Sequence, residues 1–440
     1  MKKIIYLLVF ITLCSNLFAQ TDTIRLSVSQ ATQFGISNRF DVKSDSLNIN
    51  MAKSRLTRSK KELLPDLAAN GKVTYSGQLQ PSIIPAGNLG FTEPQKIAIG
   101  MKNNTVFDLD LIYAIYKPGL YTDIKVAKNN LILEKEKNNK TRIDIKIEIS
   151  ESYYNVLLKD LQYSIALKNE QRYKEYYDLA HGKFDNGALI ESDELQSELD
   201  YKNARANTEK QKQNYLLSQQ YLKYKTNIPA QSLIILTDSL QVIENSKITV
   251  DSSATVASNR SELKQLSIEQ DGNALQLKKA RQNYLPSLSV FANYTRLFQG
   301  PEFNYANNFY WAPVNYIGVK LTIPITGSIK NINSVTECKF KISQTNFNIK
   351  QKKADVEYEI QQAIAKLSNA EKNLLVAKDN YILSQRVYEL KKQQFNLGSF
   401  SYEKLLDTEK SLAVTEQDYM TAVYDCLIAK INYQKAIGGF

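Results

Sequence analysis

The only histidine of this sequence, His181, is the first residue to consider for acid–base or metal chemistry. It lies in the stretch LAHGKFDNG, close to a predicted turn. To bind a metal ion it would need the further ligands that protein metal sites use, and a lone imidazole lacks them. The pattern therefore favours a surface residue over a metal ligand.

Two serine–lysine pairs offer a second possibility, covalent catalysis by an activated serine. Ser261 with Lys264 and Ser401 with Lys404 match the S-x-x-K spacing of β-lactamases and penicillin-binding proteins, but the other elements of that catalytic set are missing. Both serines begin predicted helices, where serine commonly caps the first turn. We therefore expect caps rather than nucleophiles.

The carboxylate pair Asp108 and Asp110 could hold a metal ion. The two are alternate residues of a predicted strand, so they lie on one face of it, and we expect that face to line a water-filled lumen. No glycine-rich phosphate loop occurs. The sequence therefore predicts no catalytic residue, no metal site and no cofactor, and a protein that is not an enzyme.

Composition and the first residues indicate an exported protein. The chain has 440 residues, 43% of them hydrophobic, and a formal net charge of +11, so it is too apolar for general disorder. Lysine and glutamate are interspersed in LILEKEKNNKTRIDIKIEISE, which favours solvated helix faces over a nucleic-acid partner. Residues 1–19 have the lysines, short apolar run and final Leu-Phe-Ala of a secretory signal peptide. Cys14 leaves lipidation open as an alternative.

An internal duplication sets the architecture. The stretch KFDNGALIESDELQSELD, which contains Gly187, is echoed by QFNLGSFSYEKLLDTEKS, which contains Gly398, 211 residues later (398 − 187). A second pair, SNRFDVKSD and SNRSELKQL, leads in both cases to a Leu-Pro step, and these prolines are 221 residues apart (286 − 65). We therefore expect a first structural repeat over residues 23–239 and a second over residues 240–439.

Each repeat contains two segments in which apolar and polar residues alternate, the pattern of a strand with one wet face. A loop rich in turn residues and aromatics separates the two segments of each repeat, as in QGPEFNYANNFYWAP. The four predicted strands cover about residues 66–76, 105–114, 287–297 and 315–324.

The rest of each repeat is predicted to be helical. Leu, Ile, Ala and Tyr recur at three- and four-residue spacing over residues 121–184 and 330–395 without a proline, and a helix of that length is about 100 Å long. The segment RIDIKIEI alternates strictly and would alone predict a strand. Its counterpart KADVEYEI continues into QQAIAKL, so we predict helix in both repeats. An ordinary coiled coil would also explain these helices.

A coiled coil does not explain the predicted strands. An antiparallel sheet of two or four strands has unpaired backbone groups at its edges unless it closes, and a bilayer admits only helices and closed barrels. A membrane barrel needs about eight strands or more. If these strands enter a membrane, several chains must share one barrel.

With these features the chain resembles the TolC-type outer-membrane efflux and secretion channel family over nearly the whole mature sequence. The duplicated order, the steps Leu64-Pro65 and Leu285-Pro286, and the two aromatic-x-x-Gly turns carry the resemblance. It implies a mainly α-helical fold with a β-barrel contribution. In this fold a homotrimer forms one twelve-stranded outer-membrane barrel, which a periplasmic α-helical tunnel continues.

One departure from the family is Asn-Arg at residues 38–39 and 259–260, where many relatives have Asn-Pro. Both repeats share it, so we expect the helical turn to be kept.

The resemblance also implies roles for residues near the two turns, which would form the closed tip of the tunnel. In the family, Asp residues follow the turn glycine at the sixth and ninth positions, and a lysine at one sixth position puts a purely anionic ring in doubt. Capping of a helix start would also explain the acidic residues. The implied residues are, for the turns and adaptor docking, Gly187, Gly398, Phe184 and Phe395 and, for the constriction, Asp193, Lys404 and Asp407.

The predicted function is the passive exit duct of a tripartite efflux or type I secretion system in the outer membrane of a Gram-negative bacterium. Its partners would be a periplasmic adaptor (membrane fusion) protein, an inner-membrane pump such as an RND or ABC transporter, and outer-membrane lipid. The alternative is a periplasmic coiled-coil adaptor or scaffold without a pore. Adaptors usually contain a compact β-rich domain and one helical hairpin, whereas this sequence predicts two hairpins and two separated strand pairs.

Overall fold

The structure is a computed structural model that describes residues 23–239 and 259–440, except residues 88, 89, 91, 398, 400 and 401. The predicted signal peptide at residues 1–19, the start of the predicted second repeat, Gly398 and Ser401 lie outside the described residues. The described parts of Met1–Asn48, Glu134–Leu266 and Asn348–Phe440 form one compact unit, here the first unit. Ile49–Leu133 and Ser267–Phe347 form the second unit.

Helices dominate the described chain, as predicted. The elements before residue 240 are β1 (Thr23–Leu26), α1 (Val28–Asn38), α2 (Phe40–Lys61), β2 (Asp66–Tyr75), β3 (Pro81–Ile84), β4 (Gln95–Ala98), β5 (Asn103–Tyr116), α3 (Leu120–Asp185), α4 (Glu191–Thr226) and β6 (Leu233–Leu236). Those after it are α5 (Ser261–Gln282), β7 (Ser287–Gly300), a 3₁₀ turn (Asn308–Tyr310), β8 (Trp311–Thr322), α6 (Gly327–Asn396) and α7 (Tyr402–Ile437). The longest are α3, with 66 residues, and α6, with 70.

The element ends repeat along the chain. Helices α4 and α7 both have 36 residues, and their ends lie 211 residues apart (402 − 191 and 437 − 226). Each is followed by a residue in the left-handed conformation, Asn227 with a φ of +59° and Gly438 with a φ of +70°. In both, the next N–H donates to a carbonyl in the last helical turn at 2.9 Å, which satisfies a group the helix leaves open. The two repeats therefore end these helices in the same way.

The strictly alternating segment RIDIKIEI, residues 142–149, lies inside α3, so the prediction of a helix is confirmed. The alternation has a packing origin, because Ile145, Ile147 and Ile149 are all buried. In a helix Ile145 and Ile149, four residues apart, share one face, whereas Ile147 lies on the opposite side. Helix α3 is therefore covered on more than one side here, and its apolar residues no longer follow a single stripe.

The main sheet lies in the second unit and is antiparallel throughout, in the order β2-β5-β7-β8. Strands β2 and β5 come from the first repeat and β7 and β8 from the second, so the central β5–β7 pairing joins the two repeats. Within the described residues, β2 and β8 each have one edge without a partner strand.

The two faces of this sheet differ in polarity. One face carries large exposed apolar side chains, such as Leu67, Val73 and Phe107 at 62%, 61% and 52% exposure. The register places Leu67 opposite Leu111 and Ala69 opposite Leu109, so the apolar residues form continuous rows. The other face carries Asp110 opposite Asn293 and Asp108 opposite Thr295.

The four predicted strands are present as β2, β5, β7 and β8, and the described residues contain four further strands that the sequence did not predict. Strands β3 and β4 form a hairpin inside the first loop, where the sequence predicted only turns. Strands β1 and β6 form a parallel pair with Thr23 opposite Leu233. Four-residue strands are too short to show a clear alternation, and the partners β1 and β6 are about 210 residues apart, so no local pattern reveals them.

The first unit has several apolar cores. One is formed by β1, β6, α1, α3 and α4 around Tyr153, whose hydroxyl donates to the Leu26 carbonyl at 2.8 Å. A second joins α3 and α7 and contains Leu158, Ile165, Met420 and Val423, with residues of α6 packed against it. Among the described residues, every helix is too short or too polar to qualify as a membrane-crossing segment.

Candidate functional site

The turn between α3 and α4 depends on Gly187. Helix α3 ends at Asp185, and Gly187 has a φ of +67°, a conformation that glycine adopts without steric cost. The Ala188 N–H donates to the Lys183 carbonyl and the Gly187 N–H to the Phe184 carbonyl, both at 2.8 Å. Phe184 is 37% exposed, so its ring is only partly packed at this end of the hairpin.

The turn between α6 and α7 repeats one of these bonds. The Ser399 N–H donates to the Gln394 carbonyl at 3.0 Å, which is the counterpart of the Ala188–Lys183 bond in the first repeat. Phe395 is half-buried and packs against the cluster formed by Tyr388, Leu405 and Leu412. Gly398 itself lies outside the described residues.

The three residues of the predicted constriction are all exposed. Asp193 lies in the first turn of α4, Lys404 in the first turn of α7, and Asp407 in the second turn of α7. Among the described residues, none of the three side chains makes a hydrogen bond or an ion pair. First-turn carboxylates are favoured by the partial positive charge of a helix N-terminus. A single chain therefore leaves these charges facing solvent beside the turns.

His181, which the sequence left as a surface residue, ties the two helices of the first hairpin together. Its Nδ1 lies 3.1 Å from Oε1 of Glu194 on α4, and its Nε2 lies 3.7 Å from Asp185 on α3. The hydrogen bond with Glu194 and the charge of Asp185 raise the pKa of His181 above its ordinary value. Tyr177 stacks on the imidazole at 5.8 Å. His181 therefore links α3 to α4 beside the turn, and protonation of its imidazole strengthens the contacts with both carboxylates.

A buried carboxylate connects the two hairpins. Glu409 on α7 is 5% exposed, and its Oε1 lies 3.4 Å from Nε of Arg172 on α3. Tyr388 on α6 hydrogen-bonds to Glu409, and burial, with this neighbouring carboxylate, raises the pKa of Tyr388 to about 12. Sequence reasoning missed this contact, since its three residues come from three helices.

Sequence reasoning also missed an arginine cluster that occurs once in each repeat. In the first repeat Arg39 contacts Asp41 at 2.6 Å and Glu148 at 2.9 Å, and its guanidinium reaches the Lys225 carbonyl at 3.5 Å. Burial alone would raise the pKa of Glu148, but hydrogen bonds from Arg39 and Lys225 outweigh it and lower that pKa. The arginine therefore ties the α1–α2 junction to α3 and to the end of α4.

The second repeat builds the same cluster around Arg260. Its guanidinium contacts Glu262 at 3.1 Å and Glu359 at 2.8 Å and donates to the Ala436 carbonyl at 3.2 Å. Each partner is the repeat counterpart of a partner of Arg39. These are the Asn-Arg positions where the sequence departs from Asn-Pro, so the departure coincides with a specific contact in both copies.

The polar face of the sheet carries a hydrogen-bonded network. The amides of Asn70 and Asn293 donate to the two oxygens of Asp110 at 3.2 and 2.7 Å. The Thr295 hydroxyl bonds to Asp108 at 2.6 Å. The two carboxylates are therefore satisfied by neutral donors from adjacent strands.

The remaining candidates for chemistry are Ser261 and the side chains that could bind a metal ion. Ser261 is the first residue of α5, and its hydroxyl donates to Glu136 Oε1 at 2.6 Å. Among the described residues, no group of three or more His, Cys, Asp or Glu side chains is placed to hold a metal ion.

Known proteins similar in sequence are efflux and nodulation proteins. Residues 254–439 match the family described as "Outer membrane efflux protein". The cation efflux system protein CusC of Escherichia coli strain K12 is 23% identical over 423 residues, covering 92% of this chain and 84% of that protein. Nodulation protein T of Rhizobium leguminosarum bv. trifolii is 21% identical over 401 residues, covering 89% of this chain and 81% of that protein.

Solved structures share the fold over nearly the whole chain. A crystal structure of CusC superposes with a TM-score of 0.75 at 18% identity, covering 94% of this chain and 92% of that one. The outer membrane channel CmeC of Campylobacter jejuni gives a TM-score of 0.72 at 17% identity, covering 94% of this chain and 85% of that one.

Proposed function

From the premise that this chain belongs with the outer membrane efflux proteins, in sequence over residues 254–439 and in fold throughout, we propose that it is the exit duct of a tripartite export system. The TolC-type resemblance is confirmed, and with it the prediction of a transporter that is not an enzyme. The proposed duct is passive, because substrate would move through it without chemistry and the energy would come from a partner pump.

The observation that carries the proposal is the main sheet. It has an exposed apolar face, a polar face and two strands, β2 and β8, with an unpaired edge among the described residues. In a bilayer each unpaired backbone group costs several kcal/mol, so such a sheet must continue into further strands. Copies of the same chain supply them, and three copies would form the twelve-stranded barrel that the TolC-type resemblance implied.

The helices would continue this barrel as a periplasmic tunnel. Helices α3 and α6 are long enough for this, and the hairpin turns at Gly187 and near Ser399 would form its tip. We place the adaptor-docking surface at these turns, with Phe184 and Phe395 packing beside them. The adaptor would connect the duct to an inner-membrane pump, in a Gram-negative cell envelope.

The proposal is tested by expressing the full chain in a Gram-negative host and separating the membranes. We expect the protein in the outer-membrane fraction, soluble only with detergent, and with the mass of three chains in light scattering. Purified trimers should conduct ions across planar bilayers.

A soluble single chain in the periplasmic fraction would overturn the proposal and favour the adaptor or scaffold alternative. A single-residue change supplies the control. Val319→Asp places a charge on the exposed apolar face of β8, where Val319 is 66% exposed, and should reduce recovery in the outer membrane by more than Lys320→Asp on the other face.

A further inference from the structure

Basic residues cluster at the two places where a helix of the second unit ends and a strand of the main sheet follows. The last turn of α2 contains Arg58, Lys60 and Lys61, and that of α5 contains Lys279 and Arg281. At the repeat offset of 221, residue 58 corresponds to residue 279 and residue 60 to residue 281. Two positions are therefore basic in both repeats, shortly before the Leu-Pro step.

The chain leaves both helices through the same three backbone hydrogen bonds. In the first repeat the carbonyls of residues 58, 60 and 61 accept from the N–H groups of residues 62, 63 and 64 at 3.2, 3.2 and 2.9 Å. In the second repeat the carbonyls of residues 279, 281 and 282 accept from residues 283, 284 and 285 at 3.2, 3.4 and 3.0 Å. The basic residues of both helices therefore hold the same position relative to the strand that follows.

Both helix ends contact the start of α3, so the two basic turns belong to one region. Lys117, just before α3, lies 3.9 Å from Glu62. Asp123, in the first turn of α3, lies 2.6 Å from Lys279. These two acidic residues therefore already have a cation each.

Five further cations in this region are exposed and have no carboxylate partner among the described residues. They form a cluster, here called the basic patch, that consists of Arg58, Lys60, Lys61, Lys278 and Arg281. Residues 55–66, 117–123 and 276–287 together contain eight basic and three acidic residues. The loops at the other end of the sheet, residues 76–102 and 301–310, contain two of each. The positive excess is therefore specific to the helix end of the sheet.

The apolar face of the sheet ends beside this patch, and it ends in tyrosines. Tyr113 and Tyr116, near the end of β5, are 44% and 47% exposed. The register places them opposite Val290 and Leu288, so both tyrosines lie on the apolar face. Exposed aromatic residues at the border of an apolar band mark the membrane–water interface of transmembrane barrels. The basic patch thus lies at the end of the sheet where that interface is expected.

We infer that the basic patch binds the phosphate groups of anionic phospholipids in the periplasmic leaflet of the outer membrane. The inference rests on the proposed function, because that function places the apolar face in the membrane and the helices in the periplasm. Clustered Lys and Arg side chains beside a membrane segment attract anionic headgroups. Their long aliphatic stems let the charged ends extend to the headgroups while the helix stays below the apolar band.

The helix dipole does not by itself account for the patch. It favours cations at helix C-termini, yet α1 and α6 have none in their last turns and α3 has one, whereas α2 has three. Continuity with the apolar face also favours a lipid over a soluble partner, since a headgroup that contacts the patch has its acyl chains beside that face.

Lipid retention tests the inference. The trimer is purified in a neutral detergent and offered equal amounts of phosphatidylglycerol and phosphatidylethanolamine, and bound lipid is counted by native mass spectrometry. Both lipids carry a phosphate, but only phosphatidylglycerol has a net charge, and we expect it to be retained preferentially. Arg58→Gln with Lys60→Gln and Lys61→Gln should weaken its binding at least tenfold, because each basic residue near an anionic surface strengthens binding about fivefold.

The matched control is Lys168→Gln with Lys174→Gln and Lys183→Gln. It removes the same charge from exposed positions of α3 in the first unit and should retain phosphatidylglycerol like the unchanged chain. Equal losses in the two triple variants would reveal a general effect of net charge and overturn the inference.

A single substitution should act in the opposite direction. Glu62→Gln leaves Lys117 without its carboxylate partner and adds one uncompensated cation to the region, so phosphatidylglycerol retention should rise about fivefold. Retention at or below that of the unchanged chain would contradict the inference. Because this change increases binding, loss of folding cannot imitate its expected result.

Two other occupants are separated by the first triple variant. An altered ion preference in planar bilayers with full phosphatidylglycerol retention would place these cations in the lumen. Lost binding to purified peptidoglycan with full lipid retention would assign them to the cell wall. Either result would overturn the inference.

Particle mass and conductance separate this inference from the duct proposal. Three-chain particles that conduct ions but retain both lipids equally would overturn the inference and leave the duct proposal standing. Single chains that stay soluble without detergent would overturn both.

Discussion

At the scale of single residues, the arginines at the helix junctions organise more of the first unit than the residues whose spacing suggested chemistry. The sequence shows that residues 39 and 260 depart from the family in the same way, but it does not show why. Glu148, the carboxylate that Arg39 binds, is 109 residues away along the chain. Such a partner becomes visible only when α3 is placed beside the α1–α2 junction.

Arg39→Lys should therefore destabilise the protein although charge is conserved. A lysine cannot bind two carboxylates and a carbonyl with one planar group. We expect a melting temperature lower by about 2–4 °C, the shift that about 1 kcal/mol gives in a domain of 150–250 residues. Differential scanning calorimetry checks this, and Arg25→Lys, outside the cluster, is the control. An unchanged melting temperature for Arg39→Lys would contradict the role of the planar guanidinium in binding these three partners.

His181 gives a pH dependence of known sign. Its pKa is raised above 6.5 by Glu194 and Asp185. Protonated His181 therefore stabilises the α3–α4 hairpin fully below about pH 6.5, and this stabilisation is lost as the pH rises through the raised pKa. We expect hydrogen exchange in residues 181–194 to accelerate over that range relative to His181→Gln.

The titration itself can be observed directly, because the sequence has one histidine. In a protein without a histidine tag, a ¹³C-labelled imidazole gives one signal, whose midpoint should exceed 6.5. Glu194→Gln should move this midpoint down, and the same midpoint in both proteins would show that the contact does not form in solution.

At the scale of elements, the sequence predicted long helices correctly and short strands poorly. The signal in α3 and α6 is repeated over many turns, so a local exception such as RIDIKIEI does not hide it. Strands β1 and β6 contribute four residues each and owe their stability to pairing across the chain. A pattern that short carries no periodicity, which is why these strands were not predicted.

Two glycines near the end of α3 should respond to alanine with opposite signs. Gly187→Ala forces a side chain into the left-handed conformation at φ +67°, which costs about 1–2 kcal/mol. Gly182→Ala lies in the helix with open space around the new methyl group and should stabilise it by about 1 kcal/mol. Local hydrogen exchange in residues 178–194 measures both, and equal signs would contradict the turn geometry.

At the scale of the whole molecule, the sequence predicted an incomplete sheet that must be completed by copies of the chain. The described sheet has the two open edges this requires. The sequence did not predict the packing of α7 on α3, because the buried residues of this contact have exposed counterparts in the other repeat. Ile165 at 6% and Val376 at 58% exposure illustrate the difference.

The proposed tip constriction makes a prediction about the assembled protein. If Asp193, Asp407 and Lys404 recur around one axis, their charges set the ion preference of the closed end. Asp193→Ala with Asp407→Ala should lower the cation preference in planar-bilayer recordings, and Lys404→Ala should raise it. The reversal potential in a salt gradient measures both changes. Identical reversal potentials in all three proteins would show that these residues lie outside the constriction.

The open edges of β2 and β8 also affect the assembly of a newly synthesised chain. If the proposed assembly is correct, a chain that has not yet assembled has unpaired backbone donors and acceptors along β2 and β8 and an exposed apolar face between them. In the proposed trimer, assembly would depend steeply on the concentration of chains, because three copies must meet before these edges are paired. A low concentration of chains, as much as a mutation, would then lead to aggregation or degradation of the unassembled protein.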